Sequence, residues 1–560
     1  MRPRWQVQSG PWEPGGVAAR ILRRRGLDPA AERQHDPFLM LDMDRAVERI
    51  QRAIRERERI LVFGDYDADG VTSAALLRQG LADLGATVAV RLPHRVEEGY
   101  GLQVSQMREI LDGPTDLLVT ADNGTSALEP LELAAREGLD VIVVDHHSLT
   151  GPRPPVVALL NPHQPGCGYP FKALAAVGVA WKLLEALGWR QLERGLDLVA
   201  LGTVADMAQL TGENRLLIRR GLEVIRGGGR PGLEALLALP GVRPPQGGVD
   251  ARTLGWQLGP RINCAGRLAG AELAFRLLDG GDRRETEALA AQLDALNQER
   301  RRVQDEAVAQ AEHALRDAGE LPAILIFVGA DWHLGVIGLI AGRLCQSWER
   351  PVLVLSRVLG NGLVKGSARS VPGLNITEAI ARQRDLLVDF GGHAEAAGLT
   401  LREEHLREFM ARLGENLEER APDLPVPELR VDSAVAMSEL TLSLPAELEV
   451  LEPCGTGNPR PRLGLFGAQV ERVFQMSQGK HLKLWLQAEG RRAEAVWWKH
   501  GPQAERIRYG QQVDVVFELG LNHWNGRTEL QLVLEDLRPA EALTGAPLSA
   551  PSAGLEIPHV

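Results

Sequence analysis

The chain has 560 residues, 44% of them hydrophobic and 24% charged, with a formal net charge of −11. That length exceeds one compact core and predicts about three to four domains, and the composition excludes a disordered or fibrous chain. The acidic balance argues against a non-specific coat on nucleic acid, which calls for a basic surface. It leaves a nuclease open, because clustered carboxylates can hold divalent cations while the basic residues line one groove.

In chain order, residues 1–16 carry no apolar run of the signal-peptide type. From about 55 to 150 one unit recurs. RILVF (59–63), TVAVRL (87–92), DLLVTAD (116–122) and DVIVVDHH (140–147) are short apolar runs separated by helical patterns. That alternation predicts a parallel sheet with crossover helices. Residues 172–280 read as mainly helical, most clearly KALAAVGVAWKLLEAL (172–187) and ENRLLIRRGLEVI (213–225). Between 281 and 319, Leu289, Leu293, Leu296, Val303, Ala307, Ala311 and Leu315 fall on one helical stripe in a polar surround. This predicts a solvent-bridging connector between two lobes rather than a core helix or a coiled-coil strand.

A second α/β unit is expected over 321–420, from AILIFVG (323–329), a helix between Gly335 and Gln346, PVLVLS (351–356) and a glycine-rich loop. APDLPVPEL (421–429) reads as a linker, and HLKLWLQA (481–488), QQVDVVFEL (511–519) and TELQLVLEDL (528–537) as strands of a small β-barrel. The last twenty residues, rich in Ala, Pro and Ser, read as a disordered tail. Cys167, Cys264, Cys345 and Cys454 are scattered, without a zinc or disulfide pattern. The apolar stretch Ala323–Ala341 is interrupted by Asp331 and His333. A cytoplasmic protein without a membrane span is expected.

The carboxylates carry the chemistry. Strand 59–63 runs into Asp65, Asp67 and Asp69, strand 116–120 into Asp122, and strand 140–144 into Asp145, His146 and His147. Asp206 follows the apolar run LVALGTVA. In an open parallel sheet the carboxyl ends of strands face one crevice. Each acid alone is an ordinary turn or helix cap; together they make a cluster that repels itself unless cations are bound. Mixed Asp and His donors suit Mn²⁺ or Mg²⁺, and two ions sharing a carboxylate would clamp a phosphoryl transfer.

These residues also carry a resemblance. DYDADG (65–70), ADNG (121–124), DHH (145–147) and ALGTVAD (200–206) resemble, in order and spacing, the four motifs of the DHH phosphoesterases. The resemblance implies Asp65, Asp67, Asp69, Asp122, His146 and Asp206 as metal ligands. It further implies that Asp145 orients its neighbouring histidine, and that His147 contacts the scissile phosphate or assists the leaving oxygen. RINCAGRL (261–268), DWHLGVIGLIAGRL (331–344), GSARSVPGLNI (366–376), GGHAEAAG (391–398) and CGTGNPRPRL (454–463) are similar to segments of the RecJ family of single-strand-specific exonucleases. Two departures are ADMAQL (205–210), which lacks the family's Val-Pro after the acid, and Cys264 in place of a small residue.

The implied organisation is an α/β multidomain protein. An N-terminal segment (1–50) precedes a parallel-sheet DHH domain (51–280), followed by a connecting helix (281–320) and a DHH-associated substrate domain (321–425). An OB-like barrel (426–540) and a tail (541–560) complete it. Substrate-binding positions are Arg95, Tyr100, Asn263, Arg267, His333, Ser367, Arg369, Gly391, Gly392 and His393. Guanidinium groups and glycine-loop amides suit phosphate, and Tyr100 suits stacking on a base. Trp485, Trp497, Trp498 and Trp524 receive no role, since most tryptophans of a small barrel pack in or near its core; GKHLK (479–483) and Arg491-Arg492 offer a better DNA track.

The implied activity is 5′-to-3′ hydrolysis of single-stranded DNA to 5′-mononucleotides with two divalent ions, by a monomer acting in recombination and repair. A helicase and a single-stranded-DNA-binding protein are the implied partners. The alternatives are a DHH enzyme cleaving short oligoribonucleotides or small nucleotides, which usually needs only two lobes, and a non-catalytic DNA-binding scaffold with a decayed metal site.

Overall fold

In a computed structural model, residues 3–540 are described, except 12, 96–97, 100, 150, 246, 316–320, 359–361, 421–427 and 525–526. The expected tail (541–560) and most of the expected linker lie outside these residues. The chain forms two units. One comprises residues 32–425 with 453–458; the other comprises 1–31, 426–452 and the chain from 459 onward.

In the first unit the recurring apolar runs become five parallel strands: Arg59–Gly64, Thr87–Arg91, Leu117–Ala121, Asp140–Val144 and Ala158–Leu160. Alternation with a period of two divides their side chains between two cores. Leu117, Val119, Ile142 and Val144 face one, with the helices Ala68–Asp83, Ala176–Ala186 and Leu196–Ala205. Leu118, Val141 and Val143 face the other, with Leu131 and Met107. Covered on both faces, the strands read as continuous apolar runs. Numbered along this lobe, the strands lie in the order 2-1-3-4-5. The connections therefore diverge between strands 1 and 3, opening a crevice at their carboxyl ends.

The second lobe of this unit is a five-stranded mixed sheet. Leu325–Gly329 pairs in parallel with Val352–Val358, and Leu363–Arg369, Ala396–Arg402 and Leu387–His393 extend the sheet antiparallel to the outer edge. The long helix Arg283–Leu315 links the lobes. It corrects the solvent-bridging expectation: Leu289, Ala290 and Leu293 are buried in the first lobe's core, and Ala307, Val308 and Ala311 in the second's. A single stripe that is leucine-rich at one end and alanine-rich at the other serves two cores of different depth. That is why it reads as a weakened seam in the sequence.

The second unit is built on a closed five-stranded barrel of Leu463–Met476, His481–Ala488, Arg491–Trp497, Gln512–Trp524 and Arg527–Pro539, closed by pairing of the first strand with Gln512–Trp524. Residues 1–31, expected within a separate N-terminal segment, belong to this unit. Strand Arg4–Val7 pairs in parallel with Glu428–Val431, and the Trp5 ring carries the Arg538 guanidinium 4.1 Å from its centroid. Residues 32–50, including the start of helix Met43–Glu56, pack in the first unit. Truncating Leu293 to alanine is expected to cost the first unit about 2–5 kcal/mol, measurable as a lower urea midpoint at unchanged slope.

Candidate active site

Three hydrogen bonds continue the sheet ladder one residue past its strands. Asp65 N–H donates to Ala121 O (3.1 Å), Asp122 N–H to Val144 O (2.9 Å) and Asp145 N–H to Leu160 O (3.0 Å). The acids are thereby fixed in adjacent positions along one rim. Asp67 caps the helix Ala68–Asp83, accepting from the amides of Asp69 and Gly70. The turn is tight: a Cβ on Gly70 would lie 2.5 Å from Asp65 N, so no larger residue fits there. Asp122 has φ +65°, a left-handed conformation uncommon outside glycine and typical of strained functional positions. Asp206 joins the rim from the end of the helix Leu196–Ala205.

The six acids and two histidines expected from the sequence do converge. Three sets of donor atoms each lie within 4.8 Å of one another: Asp65, Asp67 and Asp122; Asp69, His146 and Asp206; and Asp122, His146 and His147. His146 Nε2 is 3.3 Å from Asp122 Oδ1, 3.7 Å from Asp206 Oδ2 and 3.8 Å from Asp69 Oδ2. Asp122 and His146 each fall in two of the sets, so the three sets form one connected cluster.

The electrostatics of the bare cluster are unfavourable. Burial, followed by the charge of Asp67, pushes the Asp69 carboxyl up to about 7, even though it accepts hydrogen bonds from Ala176 N and Val177 N. Burial and the charge of Asp69 push Asp206 up to about 9. Asp65 and Asp122 are driven well above the usual carboxylate range, first by burial and then by their acidic neighbours. Burial and then His147 lower His146 to about 4, leaving it the neutral imidazole a cation needs. Asp65 Oδ1, Asp122 Oδ1 and His146 Nε2 are buried without a hydrogen-bond partner. Unpaired oxygens and a neutral nitrogen converging on the same space fit hard divalent cations.

Asp145 differs from the other acids. It accepts from Thr125 N, His146 N and His147 N, and its Oδ1 lies 2.7 Å from His147 Nδ1. Burial alone would raise its pKa, but the hydrogen bond and charge of His147 outweigh burial and hold it below the usual range. Burial likewise opposes protonation of His147, and the Asp145 hydrogen bond overrides it to raise His147 to about 9.

A cavity of about 1080 Å³ between the two lobes reaches the cluster at Asp145 and His147, which form one wall, and is lined by Arg95, Arg267, Ser367 and Arg369 among others. Arg369 donates to Ser367 Oγ (3.0 Å), Arg267 to Gly335 O (3.1 Å), and the Arg95 guanidinium lies 4.9 Å from the Tyr66 ring centroid. Burial, then the proximity of Arg95, lowers both Arg267 (to about 10) and Arg369. The repulsion among these guanidiniums is what a phosphate would relieve.

Gly391, Gly392 and His393 also line the cavity. Asn263 is engaged elsewhere: its side-chain oxygen accepts from Ala68 N (2.8 Å), fixing the Asp-rich turn. His333 is not among the cavity-lining residues; its Nδ1 accepts from Gly335 N. Tyr100 lies outside the described residues. Lys365, absent from the expected set, lines the cavity as well. Its signal is local, since residues 365, 367 and 369 of one strand share a face.

Family models match three segments: the DHH family, N-terminal domain, at residues 59–203, the DHHA1 domain at 321–419, and the RecJ OB domain at 431–536. The single-stranded-DNA-specific exonuclease RecJ of Bacillus subtilis is 37% identical over 539 residues, covering 94% of this chain and 68% of the relative. That of Escherichia coli is 35% identical over 564 residues, covering 93% and 95%. The crystal structure of RecJ in complex with Mn²⁺ from Thermus thermophilus matches with a TM-score of 0.81 at 32% identity, covering 96% of this chain and 80% of that one. The corresponding Mg²⁺ complex matches with a TM-score of 0.76 at 31% identity, covering 96% and 79%. On its motifs, its architecture and these relatives, the chain belongs to the RecJ family of DHH phosphoesterases.

Proposed function

We propose that the protein is a 5′-to-3′ exonuclease specific for single-stranded DNA, releasing 5′-mononucleotides in recombination and repair. The observation that carries this reading is the shared cavity. A guanidinium cluster suited to a terminal phosphate lines a cavity whose wall includes His147, and His147 in turn lies against Asp122 and His146 of the carboxylate–histidine cluster suited to cations. The Bacillus subtilis and Escherichia coli relatives are single-stranded-DNA-specific exonucleases, which supports the substrate and the exonucleolytic mode.

In the reaction, water adds to the phosphorus of the second nucleotide and the bond to O3′ of the first breaks. The first nucleotide leaves with its 5′-phosphate and a proton on O3′. Two Mn²⁺ or Mg²⁺ ions, held by Asp65, Asp67, Asp69, Asp122, His146 and Asp206, would supply Lewis-acid charge at the phosphoryl oxygens and lower the pKa of the attacking water. Arg95, Arg267, Ser367 and Arg369 hold the terminal phosphate and set the polarity. Asp145 engages Nδ1 of His147, leaving Nε2–H of the protonated ring to donate to the phosphate or the departing O3′. Asn263 holds the Asp-rich turn in place.

The barrel adds a second surface of suitable chemistry. On its outward face Phe474 stands opposite Lys483, and Arg472 opposite Trp485, so aromatic and cationic side chains alternate. Phe474 is exposed and Trp485 half-buried, whereas Trp497 is buried. Stacking with interleaved charge is how single strands are held without sequence preference. The same reading assigns a helicase and a single-stranded-DNA-binding protein as partners, a monomeric state and a cytoplasmic location. Among the described residues no helix is long and apolar enough to cross a membrane.

The direct test is an oligonucleotide labelled at either end, single-stranded or duplex, with Mn²⁺. Mononucleotides should appear first from the 5′ end of the single strand, and Asp122→Ala should abolish them. Cleavage confined to short RNA or dinucleotides would make the protein a small-nucleotide phosphodiesterase, and binding without cleavage a scaffold. A second prediction concerns pH. Because folding raises Asp69 to about 7 and Asp206 to about 9, their contribution to metal-free stability is present below the unfolded carboxylate pKa and lost as pH rises through those values. Mn²⁺ in hundredfold excess over its Kd should stabilise by about 2.7 kcal/mol. The Tm increment should be larger near about pH 9 than near about pH 6, where protons compete with the metal, and an increment independent of pH would contradict the cluster's role. Third, joint replacement of Phe474 and Trp485 by alanine should weaken binding of long single strands by at least about tenfold while sparing dinucleotide hydrolysis.

A further inference from the structure

One helical segment, Ala251–Leu268, runs the length of the site. At its carboxyl end Arg267 lines the phosphate cavity. One turn earlier Asn263 holds Ala68, and Gly266 packs so closely that a Cβ there would lie 2.4 Å from Tyr66 O. Nearer its start, Gly259 and Gly255 press on the end of the helix that delivers Asp206: added Cβ atoms would lie 2.9 Å from Ala205 Cβ and 3.2 Å from Val204 Cγ1. The segment thus passes the terminal-phosphate site, the Asp-rich turn and the Asp206 corner in order.

Just beyond that corner the regular helix is broken by a π-helical turn, Leu254–Leu258, which carries Trp256. Trp256 is 73% exposed, although indole is among the side chains water least favours. Met207, the residue after Asp206, is 72% exposed and held in a left-handed conformation with φ +61°. Packing of residues 255 and 259 against 204 and 205 sets the π-turn beside the end of the helix that delivers Asp206. π-Turns within helices recur at functional sites; Leu254 and Leu258 of this one are buried in the core, whereas Trp256 is turned out to solvent.

We infer that Trp256 is a stacking platform for bases of the single-stranded substrate on the 3′ side of the cut. The inference rests on the nuclease reading above and adds a positioning residue to it. Eleven residues separate Trp256 from Arg267, about 16 Å along the axis. A strand rising about 3.4 Å per nucleotide when stacked, and more when extended, covers that distance in roughly three to five nucleotides. With the 5′-phosphate at Arg267, the platform meets about the third to fifth base. A base has a π-face whatever its identity, so the contact favours single strands without selecting a sequence. A duplex, whose bases are already stacked on one another, cannot use it.

The test uses the full chain with Mn²⁺ and two 5′-phosphorylated substrates, a dinucleotide and an oligonucleotide of about twenty residues. Trp256→Ala should raise KM for the long strand by about tenfold, leave its kcat and the dinucleotide's kcat/KM within about twofold, and leave Mn²⁺ affinity unchanged; Trp256→Phe should restore most of the loss. In the wild type, 2-aminopurine placed at successive positions should be quenched most at about the third to fifth, and Trp256→Ala should abolish that maximum. Equal loss on both substrates, no loss on the long strand, or a quenching profile that the substitution does not change would each overturn the platform. A wild-type protein that cleaves neither substrate would instead overturn the nuclease reading.

Discussion

Desolvated negative charge at one rim is the constraint on which the rest of the structure depends. Asp65, Asp69 and Asp122 are buried almost completely; after burial itself, the charge of Asp67 raises the cost of ionising Asp65 and Asp69, and the charge of Asp69 raises that of Asp122. Among the described residues no lysine or arginine forms an ion pair with them. The parallel sheet fixes the acids through ladder bonds that continue past the strand ends, the Leu196–Ala205 helix brings Asp206, and Asn263 pins the turn between. The scaffold holds together a group of charges that would otherwise separate or protonate, and divalent ions remove the conflict.

The opposite conflict sits across the cavity. Burial, and then the charge of Arg95, depress the basicity of both Arg267 and Arg369, and the opposing charge of Asp67 only partly offsets this at Arg267. On the proposed reading, a nucleic-acid terminus would relieve both strains at once, by supplying phosphates to the cation site and to the guanidiniums. This local separation of charge also explains how a chain of net charge −11 can act on a polyanion. Binding is governed by the few groups lining the cavity, and the sum over the surface says little about it.

Legibility in the sequence follows the range of the interactions involved. The strands and their terminal acids can be read because apolar alternation and the residue after a strand are local properties. The convergence of Asp65, Asp122 and Asp145 follows from the rule for parallel sheets, and Asp206 joins them from a helix end. Contacts made across long sequence separations are not visible. The amide of Ala68 donates to the side-chain oxygen of Asn263, a tie across almost two hundred residues that no local pattern announces. The connector helix looks solvated because its buried stripe changes from leucine to alanine where it leaves one core for the other. The pairing of Arg4–Val7 with Glu428–Val431 has no local signal, and so residues 1–31 could not be assigned to the barrel unit.

That last pairing also imposes an order of events on synthesis. Strand Arg4–Val7 leaves the ribosome long before its partner, which begins at Glu428. At about 5–20 residues per second the strand waits roughly 20 to 85 s for its neighbour. Meanwhile, residues 32–425 supply every acid and both histidines of the rim, and the nuclease lobes can fold before the barrel exists. The nascent chain therefore completes its hydrolytic centre while Arg4–Val7 is still unpaired, and the barrel unit is the last to close.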